Sequence, residues 1–142
     1  MRIIAFDIGD KKIGVAVSDM LGITASPLCI IKRGTDDNQA AIELIKLTEK
    51  NQAVKIIIGL PLSLDGNESQ SAQKVRAFGS ILQEYSTLSI EYYDESGSTK
   101  QALDIMRKTK RLKERQNMND DAIAAAVILR NYLENHQQYF NL

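Results

Sequence analysis

The residues of this sequence best suited to chemistry are carboxylates at three places: Asp7, the pair Asp94 and Glu95, and the pair Asp120 and Asp121. Asp7 stands inside an apolar stretch that predicts a β-strand, although strands disfavour aspartate. An ionised carboxylate beside a sheet core is costly unless it is paired or binds a cation. Oxygen ligands alone select Mg²⁺ or Mn²⁺ over zinc. Two such ions about 4 Å apart can clamp a phosphodiester, so the acids favour a metal-dependent nuclease.

The sequence argues against the other common hydrolytic centres. Its only histidine, His136, lies in a polar tail, and its only cysteine, Cys29, lies in an apolar run. A Ser-His-Asp mechanism and a zinc site of histidine or cysteine are therefore not expected. The glycines at 9 and 14 have P-loop spacing, but Val15 and Ala16 stand where a P-loop needs Lys and Ser or Thr.

Basic residues that could contact phosphate occur at two places. Lys11 and Lys12 follow Asp7 at a predicted hairpin turn, and residues 100–115 carry an excess of positive charge. The candidates in the second region are Arg107, Lys108, Lys110 and Arg111. A solvated helix end explains the same pattern without any ligand, so both interpretations stay open.

The composition is that of an ordinary globular protein. The chain has 142 residues, 44% of them hydrophobic and 25% charged, with 18 basic and 18 acidic side chains. This length suits a single domain over residues 1–142. No apolar run approaches the roughly 18–20 residues of a membrane span, and strand-like sequence begins at once. We therefore expect a cytoplasmic protein without membrane contact or signal peptide.

Hydrophobic periodicity predicts five strands and four helices. The strands are expected at 2–8, 13–18, 28–32, 54–59 and 88–93, where β-branched and aromatic residues concentrate. Helices are expected at 36–50, at 67–85, from Ser98 onward and at 119–135, with a loop at 108–118. Thr35 or Asp36 can cap the first helix, and Ile123, Ala124, Val127, Ile128 and Tyr132 mark the buried stripe of the last.

This order of elements predicts an α/β fold. The first three strands can pair as an antiparallel meander, whereas the last two need crossover helices and lie parallel to their neighbours. The result is a mixed five-stranded sheet with helices on both faces and the first strand at its centre. The carboxyl ends of the first and last strands then share one edge, so Asp7, Asp94 and Glu95 should approach one another there. The last helix can bring Asp121 to the same place.

Five segments of the sequence resemble one bacterial family: 7–19, 59–62 with Asp65 and Gly66, 75–78, Asp94 and Glu95 with Thr99, and 121–129. The family comprises proteins described as Holliday junction resolvases or pre-16S rRNA nucleases, and its fold is ribonuclease H-like. The resemblance implies that Asp7, Glu95 and Asp121 form the catalytic metal site for Mg²⁺ or Mn²⁺. Asp94 and Asp120 are the weaker candidates as ligands.

The leading hypothesis is a nuclease that processes the 5′ end of pre-16S rRNA during ribosome biogenesis. Holliday junction resolution is the alternative with the same chemistry. A catalytically weak RNA- or ribosome-binding module is the alternative of another class, because Ser96, Gly97 and Ser98 depart from the family pattern after Glu95. Structured RNA or branched DNA is the expected partner, with ribosome association and either a monomer or a weak homodimer left open.

Overall fold

A computed structural model describes residues 1–61, 70–94 and 120–140, and the side chains of all of these except 94, 120 and 136–140. Its elements in chain order are β1 (Arg2–Ile8), β2 (Lys12–Ser18), β3 (Ala25–Lys32), α1 (Asp37–Lys50), β4 (Ala53–Leu60), α2 (Gln70–Glu84), β5 (Ile90–Asp94) and α3 (Asp120–Phe140). The helix expected from Ser98 and the loop expected at 108–118 lie outside the described residues.

The strands form one sheet in the order β3-β2-β1-β4-β5. β2 is antiparallel to both β1 and β3, while β4 is parallel to β1 and β5 is parallel to β4. The predicted mixed sheet, with the first strand at its centre, is therefore confirmed. β3 begins at Ala25, three residues before the prediction, because an edge strand tolerates Pro27, which cannot donate a ladder hydrogen bond.

Alternation along the strands divides the core into two layers. Ile4, Phe6, Ile13 and Val15 face α1 and α2, together with alternate residues of β4. The opposite face carries a smaller set of buried residues from the strands and α3: Ala5, Ala16, Ile57, Ala125, Ala126, Ile128, Leu129, Tyr132 and Leu133. Helices on both faces were predicted, and this arrangement confirms them.

The ends and faces of the helices follow the sequence only in part. Asp36, one of the two predicted caps, is the N-cap of α1 and accepts a hydrogen bond from the backbone N–H of Asn38 at 3.0 Å. The predicted stripe of the last helix is partly wrong, since Ala124 is only half-buried while Ala125 and Leu129 are fully buried. Small residues on that face let α3 lie close to the sheet, and periodicity alone gives alanine little weight.

The first turn of α3 packs directly on the backbone of β2. A Cβ atom added at Gly14 would lie 1.8 Å from the carbonyl oxygen of Asp121 and 2.8 Å from the backbone nitrogen of Ala122. Only glycine leaves this space free, so residue 14 determines how closely the helix approaches the sheet.

A polar cluster fixes α3 farther along its length. The hydroxyl of Tyr132 accepts a hydrogen bond from Lys55 Nζ at 2.7 Å and donates one to Glu91 at 2.8 Å. Lys55 and Glu91 also form an ion pair across β4 and β5 at 2.7 Å. These contacts fix the helix at a second point.

Among the described residues, no helix combines the length and apolarity needed to cross a membrane.

We predict that Gly14→Ala destabilises the protein by about 2 kcal/mol or more, because overpacking against a backbone cannot be relieved by turning a side chain. The added methyl group must displace the first turn of α3. Urea unfolding followed by circular dichroism measures the change.

Gly34→Ala is the matched control, since a Cβ added at Gly34 meets no heavy atom within 4 Å. It should change the free energy of unfolding by no more than about 0.5 kcal/mol. Equal effects of the two substitutions would contradict the close packing of α3 on Gly14.

Candidate metal and nucleic-acid site

Asp7 lies near the carboxyl end of β1, with a glycine beside it on each neighbouring strand. Gly14 of β2 is its register partner. On the other side of β1, Phe6 pairs with Ile58 of the parallel strand β4. The next residues along the two strands, Asp7 and Gly59, are therefore neighbours as well. Alternation puts Asp7 on the same face as Ala5, which belongs to the core beneath α3. The carboxylate therefore faces α3, and the position directly beside it on each adjacent strand has no side chain.

The structure brings Asp121 close enough to Asp7 to change its titration. Burial and, to a smaller extent, the negative charge of Asp121 raise the pKa of the Asp7 carboxyl from 3.8 to about 6. Both side chains keep partial exposure, so a ligand can approach from solvent. The energetic cost that the sequence predicted for Asp7 is thus seen as burial together with repulsion from a second carboxylate.

The other acidic candidates have less defined places. Asp120 is the first residue of α3, and Asp94 is the last residue of β5, where it is in register with Leu60. Glu95 lies outside the described residues. Within the described part of the chain, no three His, Cys, Asp or Glu side chains form a group that could hold a metal. The convergence seen here is therefore that of Asp7 with Asp121.

The turn after Asp7 is held by backbone and side-chain hydrogen bonds. The N–H of Gly9 donates to the carbonyl of Lys12 at 2.9 Å, and that of Arg33 donates to the carbonyl of Lys11 at 2.8 Å. The guanidinium of Arg33 also donates to the carbonyl of Gly9 at 2.9 Å, pairs with Asp37 at 3.0 Å, and lies 4.9 Å from the centre of the Phe78 ring. This turn is thus tied to α1 and α2.

The basic residues predicted to contact phosphate fall into two groups. Lys11 lies in the turn and Lys12 begins β2, and both are exposed close to Asp7. Arg107, Lys108, Lys110 and Arg111 lie outside the described residues. The structure therefore brings together the acidic pair and the two lysines at one edge of the sheet.

Sequence reasoning missed the residues that shape this edge. Gly14 was considered only as part of a failed P-loop pattern, although a glycine within a strand signals close approach of another backbone. Gly59 was correctly predicted as the last residue of the fourth strand, and its place beside Asp7 was not foreseen. Arg33 had no signal at all, because its contacts with Gly9 and Phe78 join segments that are distant in sequence.

Comparison with known proteins gives consistent results. The model of the RuvX family, described as Holliday junction resolvase, matches residues 1–135. A protein of Dehalococcoides mccartyi named "Putative pre-16S rRNA nuclease" is 43% identical over 127 residues, which cover 89% of this chain and 92% of that protein. A protein of Lactococcus lactis subsp. cremoris with the same name is 33% identical over 136 residues, covering 95% of each chain.

Solved structures show the same fold at low sequence identity. The Thermus thermophilus RuvC protein in complex with a Holliday junction substrate has a TM-score of 0.62 and 14% identity, with 96% of each chain covered. A second RuvC structure from that organism has a TM-score of 0.61 and 12% identity. These likenesses establish the ribonuclease H-like fold. Because the family model spans nearly the whole sequence and the relatives exceed 30% identity, the chain belongs to the RuvX family.

Proposed function

We propose that this protein is a divalent-metal-dependent nuclease that hydrolyses phosphodiester bonds, with the 5′ end of pre-16S rRNA as its substrate. The observation that carries the proposal is that the partly buried Asp7 carboxylate faces Asp121. Burial and, to a smaller extent, the charge of Asp121 raise the pKa of Asp7 to about 6. A fold gains stability from moving two carboxylates apart, so keeping them together indicates a cationic ligand. The names of the relatives supply the RNA substrate.

The two carboxylates fit a hard divalent cation. Both offer oxygen atoms alone, the donor type that Mg²⁺ and Mn²⁺ prefer. A bound cation would offset both the burial of Asp7 and its repulsion by Asp121. We include Glu95 as the third ligand, on the family resemblance, and rank Asp94 and Asp120 below it. Such an ion, when bound, polarises the phosphoryl oxygen and lowers the pKa of water.

Different residues of the chain have different roles in the proposed hydrolysis. Asp7 and Asp121 would hold the cation at the carboxyl edge of β1, and Lys11 and Lys12 would bind neighbouring phosphates. Water adds to phosphorus and gives up one proton to solvent, while the bond to the leaving oxygen breaks and that oxygen takes one proton from solvent, so the products are a phosphate monoester and a hydroxyl group. We extend the phosphate contacts to Arg107, Lys108, Lys110 and Arg111 and regard residues 1–142 as one nuclease domain.

Holliday junction cleavage is the second candidate function. The description of the RuvX family and the fold shared with RuvC over 96% of each chain favour it. A two-fold symmetric junction calls for two active sites, so this function requires a homodimer. The rRNA function works with a monomer or a weak homodimer, in contact with the ribosome in the cytoplasm.

We predict that the wild-type protein cleaves a pre-16S rRNA fragment in the presence of Mg²⁺ or Mn²⁺ faster than it cleaves a four-way DNA junction. Asp7→Asn should lower the rate at least about a hundredfold, because even outer partners of metal ligands are worth tenfold to a hundredfold. Gel analysis of end-labelled substrates, with and without a chelator, measures both rates.

Asp10→Asn is the matched control, because Asp10 is an exposed carboxylate only three positions from Asp7. It should cleave at close to the wild-type rate. Equal cleavage by Asp7→Asn and wild type would refute the metal site. RNA binding by a wild-type protein that cleaves neither substrate would instead support the binding-module alternative.

We further predict that Asp7→Asn stabilises the metal-free protein near pH 7.5. The folded pKa of about 6 exceeds the unfolded value of 3.8, so the folded state binds more protons between these values. Wild-type stability therefore falls as pH rises from about 4 to about 6 and remains lower above that, by up to about 3 kcal/mol. Urea unfolding in a chelating buffer, at about pH 4 and at pH 7.5, measures the change in the free energy of unfolding.

The variant should lack this fall in stability with pH, whereas Asp10→Asn should keep it. Added Mn²⁺ should stabilise the wild type and leave Asp7→Asn nearly unchanged. A variant that is less stable than wild type at pH 7.5 in chelator would show that Asp7 serves the fold rather than a ligand.

A further inference from the structure

Two lysines stand directly opposite each other at the end of the sheet that carries Asp7. Lys12 of β2 is the register partner of Lys32 of β3. Like charges directly opposite on neighbouring strands repel and destabilise a sheet. Both residues are exposed, and within the described residues neither ammonium group has an ion-pair partner. The strands therefore hold two adjacent positive charges, and no carboxylate of residues 1–61, 70–93 and 121–135 forms an ion pair with either.

The two lysines lie on the face of the sheet that carries the acidic pair. Gly14 contacts the backbone of α3, and Lys12 lies two residues before it on the same face. Lys32 shares this face because Ile30, two residues earlier, is the register partner of Gly14. Asp7 is the partner of Gly14 on the other side. One face thus presents Asp7, Lys12 and Lys32 in neighbouring rows.

Strand geometry gives the spacing between these groups. The row of Lys12 and Lys32 lies two residues, or about 7 Å, beyond the row of Asp7 toward the edge of the sheet. Across the sheet, Lys12 is one strand and Lys32 two strands from Asp7, about 5 and 10 Å. Long lysine side chains can span these distances. The two lysines therefore lie close enough to bind phosphates next to one held at Asp7.

Protection of an edge strand does not explain the arrangement. Lysines on edge strands discourage aggregation, but Lys12 lies on β2, which is paired on both sides. The edge strand β3 already carries Pro27 and a register irregularity opposite Val15 and Ala16. The end of β2 and β3 that carries the lysines is already held together by the hydrogen bond from the backbone N–H of Arg33 to the carbonyl of Lys11, at 2.8 Å.

We propose that Lys12 and Lys32 form one binding site for the phosphate groups of a nucleic-acid strand next to the phosphodiester held at Asp7 and Asp121. This inference rests on the proposed nuclease function and adds Lys32, a residue outside the resemblance, to the substrate contacts. Two adjacent, unneutralised ammonium groups match a polyanion, and phosphates that bind between them release condensed counterions. Arg33 keeps the two strand ends in register and so positions the pair.

The test compares two double variants with the same change in charge. Lys12→Gln with Lys32→Gln removes the proposed site, while Lys46→Gln with Lys50→Gln removes two exposed lysines of α1, on the opposite face of the sheet. The probe is a fluorescein-labelled single-stranded RNA of 20 nucleotides, and binding is followed by anisotropy in chelator at several salt concentrations. Circular dichroism melts check that each variant is folded.

The first double variant should bind about 25-fold more weakly at 0.1 M salt, with the slope of log affinity against log salt reduced by about 1.4, as expected for two lost phosphate contacts. The α1 variant should keep the wild-type slope. Equal slopes for the two variants, or no RNA binding by the wild type, would overturn the proposal. If the double variant of Lys12 and Lys32 binds RNA more weakly as expected but the wild-type protein cleaves no substrate, only the proposed nuclease function is refuted.

Discussion

The packing of α3 on Gly14 is the contact on which the candidate site depends. The carbonyl oxygen of Asp121 occupies the space where any other residue at position 14 would place its Cβ atom. Gly14 is also the register partner of Asp7, so the same contact that seats the helix brings two carboxylates together. The cluster around Tyr132 holds the helix farther along and thereby fixes its direction. A shift of α3 by one turn, about 5.4 Å, would carry Asp121 away.

The same geometry makes the site a weak point of the metal-free fold. Asp7 is partly removed from water and faces the charge of Asp121, and both effects disfavour its ionised form. Glycines on both adjacent strands keep the carboxylate uncrowded but contribute no side-chain packing beside it. A cation at this point reverses the sign of the local electrostatics. Under the proposed function, stability and activity would therefore oppose each other at Asp7.

Charge is separated over a short distance on this face of the sheet. The acidic pair lies beside α3, while Lys12 and Lys32 lie one row farther toward the edge. A chain with 18 basic and 18 acidic side chains thus carries a local pattern that its net charge conceals. Under the proposed function, such a pattern would suit a polyanion, with a metal ion at the acids facing the scissile phosphate and the lysines facing its neighbours. Net charge alone is a poor guide to nucleic-acid binding in a protein of this kind.

The sequence by itself determined β1 with Asp7 inside it, the directions of strand pairing with β1 at the centre, and the family. It also narrowed the cap of α1 to Thr35 or Asp36. Alternation, capping and motifs are local properties of the chain. The sequence did not predict how far β3 extends or which side of α3 is most buried, because small residues and an edge proline carry weak periodic signals. Only the tertiary structure decided three contacts. The backbone of Asp121 packs on Gly14, Arg33 donates a hydrogen bond to the turn at Gly9, and Lys12 lies opposite Lys32. Each of these depends on register and close approach between distant segments, which are set when the layers pack.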